Sequence, residues 1–108
     1  MSNAPVFRNY INGEWRGSST GETVASVNPA NRHDIVGLVP NSGRDDLESA
    51  VAAADAARKA WRKLAGPARG QILYKVADIL ESRLEDIAET MTREMGKTFA
   101  EAKGETAR

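Results

Sequence analysis

The spacing of apolar residues changes character near residue 40. Before it, short runs rich in β-branched residues are broken by turn formers. "VFRNY" ends at "ING", and "EWRGSSTG" then supplies an exposed loop rich in Gly, Ser and Thr. Thr23–Val27 and Ile35–Val39 are a second pair of runs, separated by Asn28-Pro29 and the polar "ANRHD". This pattern predicts two short β-hairpins, the second antiparallel, with Pro40 closing its last strand because proline lacks an N–H.

From Ser42 the period becomes helical. Leu47, Ala50, Ala54, Ala57 and Trp61 fall on one stripe, with acids gathered early and bases late, as the helix dipole favours. Ser42 and Asp45 stand at capping-box spacing, Gly66-Pro67 ends this helix, and the alanines permit a close neighbour with Trp61 as a large buried filler. A second stripe, Leu73, Val76, Leu80, Leu84, Ile87, Met91 and Met95, predicts a long helix with a kink near Ser82. Gly96 is placed to end it in a left-handed conformation, and Thr98 with Glu101 reads as the capping box of another helix.

The expected fold is therefore an α+β fragment, two short β-hairpins followed by two or three amphipathic helices. Residues 1–5 read as a disordered or tag-like start, 6–40 as a β-hairpin region and 41–108 as a helical region. Long apolar stripes and short, poorly partnered strands ask for more packing surface than 108 residues provide.

The 15 basic and 15 acidic residues cancel, which leaves no electrostatic footprint for nucleic acid or an anionic membrane. No apolar run approaches membrane-spanning length and no secretory signal stands at the start, so a cytoplasmic location is expected. The triplet Gly96-Lys97-Thr98 looks like the tail of a phosphate loop, but the glycine that loop needs five residues earlier is replaced by Met91, inside a helical pattern. The lone His33 sits in a polar turn, and Glu81/Glu85 and Glu101/Glu105 read as solvated helix faces rather than acid–base pairs. Trp15, Trp61 and Tyr74 read as core packing, not as a stacking platform. With no cysteine and no dinucleotide fingerprint, no catalytic and no cofactor-binding residue is assigned.

In order and spacing, "YINGEW", "VNPAN", "VP" before an Ala-rich helix ending in "AW", "ARGQIL" and "TREMGKTFAEAKGE" resemble the N-terminal segment of aldehyde dehydrogenases, over Phe7–Arg108. "NPANRHDIVGLVP" with "MTREMGKTFAEAKGE" looks closest to the α-ketoglutarate semialdehyde (2,5-dioxovalerate) branch. The resemblance implies a larger α/β fold and a much longer subunit that oxidises an aldehyde to a carboxylate with NAD or NADP. In that chemistry a cysteine attacks the aldehyde, hydride passes to the nicotinamide, and a glutamate-activated water hydrolyses the thioester. The matched segment holds none of those groups, so it is expected to be inactive alone and to bind no cofactor by itself. The resemblance also implies a monovalent-cation site using the backbone carbonyls of Ser26 and Val27 and the carboxylate of Glu94. Its implied partners are the remainder of its own subunit and further copies in a homo-oligomer, with neither nucleic acid nor membrane. The alternative is a free-standing helical module that uses an apolar stripe to bind a partner.

Overall fold

The computed structural model describes residues 3–108; the first two residues of the tag-like start lie outside the described residues. Four strands come first: β1 (Asn9–Ile11), β2 (Glu14–Arg16), β3 (Thr23–Val27) and β4 (Ile35–Pro40). Four helices follow: α1 (Arg44–Lys63), α2 (Gly66–Ser82), α3 (Leu84–Met95) and α4 (Phe99–Thr106). The strands form two separate two-stranded sheets, β1–β2 and β3–β4. The chain divides into two compact units, one holding the residues up to Ser26 with Gly37–Lys63, the other Val27–Val36 with Leu64–Arg108. Among the described residues no helix is long and apolar enough to cross a membrane.

In the first unit, Asn12 and Gly13 both adopt positive φ, 53° and 79°, as a two-residue hairpin turn between β1 and β2 requires. The strands pair antiparallel with Tyr10 opposite Trp15, and the two rings stack tilted at 4.8 Å. Upstream, Val6 bridges Leu38 in parallel, with the Phe7 N–H donating to the Leu38 carbonyl at 2.8 Å and the Leu38 N–H to the Pro5 carbonyl at 2.9 Å. Gly37 lets the Phe7 ring lie close, because a Cβ would stand 2.2 Å from that ring and push it aside.

The start of α1 differs from expectation by one residue. Asp46, not Asp45, reaches back, accepting from the Gly43 N–H at 3.0 Å, while the Ser42 hydroxyl accepts from Asn9 Nδ2 instead. The same carboxylate takes the Ser19 N–H and hydroxyl, so Asp46 is buried while fastening the "SST" loop to the helix start. The resulting four contacts hold its carboxyl below the usual range, the Ser19 backbone donor contributing most.

The second unit is built on α3 and α4, where Ala88 and Ala102 have no solvent exposure. Small residues there let the two helices approach closely. The long helix expected through Ser82 is two helices, which makes four in all where two or three were expected. Arg83 leaves helical geometry at φ −113°, ψ 15°, its N–H donating to both the Ile79 and Leu80 carbonyls while Ser82 Oγ donates to Ile79. The serine competes for a helix carbonyl, and the kink becomes a break.

The aromatic residues expected in a core are not in one. Trp15 is 67%, Trp61 41% and Tyr74 76% exposed. The reason is scale: the only buried hydrophobic side chains among the described residues are Ile11, Val36, Ala88 and Ala102, too little to bury large rings.

Candidate functional site

The densest set of polar contacts in the second unit joins its two motif-bearing segments, the "VNPANRHD" turn and the "REMGKT" joint. Asn28 shapes the turn: its Oδ1 accepts from the Ala30 N–H at 2.9 Å, its own N–H donates to the Asp34 carbonyl, and its carbonyl accepts from the Asn31 N–H. Asn31 Oδ1 in turn accepts from the His33 N–H, so His33 is an exposed turn residue, as its sequence context predicts.

Asp34 ends this turn and is its electrostatic centre. Arg93 on α3 grips it with Nε on one carboxylate oxygen at 3.1 Å and Nη2 on the other at 2.5 Å, a two-pronged pairing. Asn28 Nδ2 adds a third bond at 3.0 Å. The Arg93 bonds first and Asn28 second hold the Asp34 carboxyl down at about 2, and Asp34 raises Arg93 in return.

Two residues further along, the chain leaves α3 as the sequence predicts. Gly96 caps it at φ 79°, its N–H on the Thr92 carbonyl, and its bare Cα faces Pro29, whose Cγ would be 3.0 Å from any Cβ. Thr98 Oγ1 accepts from the Glu101 N–H while the Thr98 N–H donates to Glu101 Oε2 at 3.2 Å, completing the predicted capping box. Lys97 pairs with Glu105 at 2.6 Å and is largely covered. The Gly96 N–H, the Lys97 ammonium and the Thr98 N–H and hydroxyl are thus engaged within the joint, and "GKT" works as a helix connector.

Three of the four carboxylates weighed as acid–base pairs have partners. Glu85 pairs with Lys103, Glu105 with Lys97, and Glu101 belongs to the cap. Of the residues named for a cation, Ser26 is half-buried in β3, Val27 is exposed in β3, and Glu94 is exposed on α3 with no hydrogen bond or ion pair among the described residues. No group of three His, Cys, Asp or Glu side chains able to hold a metal occurs among the described residues. The concavities are open grooves, such as that along α3 past Arg83, Ile87, Met91 and Glu94. The Asp34–Arg93 pair and the burial of Asp46 were not anticipated from sequence; only the Asn-Pro turn signal pointed toward the former.

The pattern of the aldehyde dehydrogenase family matches residues 15–108. The chain is 61% identical over 103 residues to the alpha-ketoglutaric semialdehyde dehydrogenase of Bacillus subtilis (strain 168), covering 95% of this chain and 21% of that protein. Its fold superimposes with a TM-score of 0.91 on an NAD-dependent aldehyde dehydrogenase from Sinorhizobium meliloti at 32% identity, covering 96% of this chain and 21% of that one. An NADP dependent enzyme of E. coli gives a TM-score of 0.88 at 42% identity over 94% and 21% of the two chains. The chain spans about a fifth of the length of the relatives it matches.

Proposed function

This chain belongs to the aldehyde dehydrogenase family, and from that premise we propose that it is the N-terminal segment of a longer NAD(P)-dependent subunit that oxidises a semialdehyde to a carboxylate. The segment itself contributes structure. It has no cysteine, so the nucleophile of such a reaction lies elsewhere in the subunit. NAD or NADP, when bound by the longer subunit, accepts the hydride. The observation that carries this reading is the 61% identity to an alpha-ketoglutaric semialdehyde dehydrogenase of which the chain covers only 21%. That name also supports an α-keto semialdehyde as the substrate.

The exposed apolar faces fit the same reading. Leu47 on α1 and Leu73 on α2 stand 64% and 61% exposed, a cost that disappears once the remainder of the subunit covers them. The subunit would then assemble with further copies of itself.

Ser26, Val27 and Glu94 are proposed as oxygen donors to a monovalent cation in the longer protein. Support comes from donor chemistry: a hard cation takes carbonyl and carboxylate oxygens, and the Glu94 carboxylate is uncommitted.

The test is expression of the gene with its downstream sequence. Turnover of α-ketoglutarate semialdehyde with NAD(P)+ by the longer protein, and none by residues 1–108, is the expected result. NAD(P)H formation by the pure 108-residue chain would overturn it. Melting of the longer protein in potassium or sodium against a bulky organic cation, for the parent and Glu94→Gln, tests the cation proposal; equal responses would remove it.

A further inference from the structure

Two polar side-chain atoms in the second unit are shielded from water with no hydrogen-bond partner among the described residues, Arg69 Nε on α2 and Thr92 Oγ1 on α3. The arginine carries the greater consequence. Its Nε–H can only donate. Arg69 is half-buried, and a shielded side-chain donor without a partner is uncommon. Arg69 has no ion pair either, whereas Arg93 in the same unit has Asp34 and Lys97 has Glu105.

Its position adds to the imbalance. Arg69 lies in the first turn of α2, which holds no acidic residue and has no side-chain cap on Ala65. A cation there opposes the helix dipole. A backbone carbonyl from elsewhere would satisfy the Nε–H alone. A carboxylate accepts from Nε, balances the guanidinium and suits the helix end together.

We propose that Arg69 is an anchoring residue for a carboxylate that lies outside these 108 residues, in the part of the subunit that covers α2. This rests on the reading of the chain as a segment of a longer subunit.

The experiment uses that longer protein and three variants: Arg69→Met, Arg69→Lys and Leu73→Asp, the last placing a charge on the exposed face of α2. Arg69→Met is expected to lower the melting midpoint by about 2 °C or more, with Arg69→Lys recovering part of the loss. A crystal structure of the parent is expected to show a carboxylate oxygen about 3 Å from Arg69 Nε. Should Leu73→Asp lower the midpoint while Arg69→Met leaves it unmoved, the anchoring role is overturned and the segment reading stands. Should both be silent, α2 is uncovered and the segment reading itself fails. If Arg69→Met does not fold, the parent structure decides: only water or apolar groups beside Nε would overturn the proposal.

Discussion

Arg93 and Asp34, 59 residues apart in the chain, are joined by two hydrogen bonds that use both carboxylate oxygens. The pairing ties the Asn-Pro turn to α3, and the Gly96–Pro29 approach ties the same turn to the end of that helix. Two motifs that are meaningless separately are therefore one structural joint. A two-pronged guanidinium contact fixes orientation as well as distance, so lysine at position 93 would hold the turn less firmly.

Acid should loosen this joint over a defined window. The Asp34 carboxyl is depressed from 3.8 to about 2, so its contribution is fully present above the unfolded value and is lost as pH falls through 4 toward 2. Asp34→Asn should lower the denaturant midpoint of the chain at pH 7 and give a parent-minus-variant difference that shrinks below pH 4. A difference that stays constant down to pH 2 would show that the pair contributes nothing to stability.

Glycine substitutions should divide by position. Gly96→Ala puts a Cβ at φ 79° and within 3.0 Å of Pro29, and is expected to cost about 1–2 kcal/mol. Gly70→Ala lies inside α2 with nothing within 4 Å of the added carbon, and should stabilise by about 0.5–1 kcal/mol. Urea titrations of the two variants check this; equal shifts of the same sign would contradict the structure.

Local signals explain how much was legible beforehand. Gly96, Thr98 and Glu101 act on their own backbone neighbours, so their roles could be read from spacing, and both hairpins followed from turn residues in the same way. Asp34–Arg93 and Asp46–Ser19 are long-range contacts between polar residues, which leave no periodic trace. Ser42 looked like a helix cap because sequence could not show Asn9 claiming its hydroxyl. The second apolar stripe was visible, but its fate was not: Leu73 and Leu80 on α2 are exposed, while Ile87 and Met91 on α3 are half-buried. Periodicity marks a face for burial and is silent about what covers it.

The α4 cap is a separable test of the "GKT" assignment. Thr98→Ala removes the half of the capping box made by Oγ1, leaving the residue 98 N–H on Glu101, and should cost about 1 kcal/mol, while Thr98→Ser should retain most of it. Lys97→Ala breaks the pair with Glu105 and should leave ATP binding where it began, at none. Calorimetric titration with ATP checks the second outcome, and saturable binding lost in Lys97→Ala would revive the phosphate-loop assignment.

Trp61 reports directly on what covers α1. At 41% exposure it lines an open groove with Val51, Ala54 and Ala57, so in the 108-residue chain Trp61→Ala should cost well under the 3–5 kcal/mol typical of a buried ring. In the longer protein the same groove is expected to be filled, and the cost should rise to about that range. Indole fluorescence makes the comparison independent of unfolding, provided Trp15 is first replaced by Phe in both proteins. Emission near that of free indole in the short chain, shifted to the blue in the long one, is the expected result; matching spectra would mean that α1 faces solvent in both.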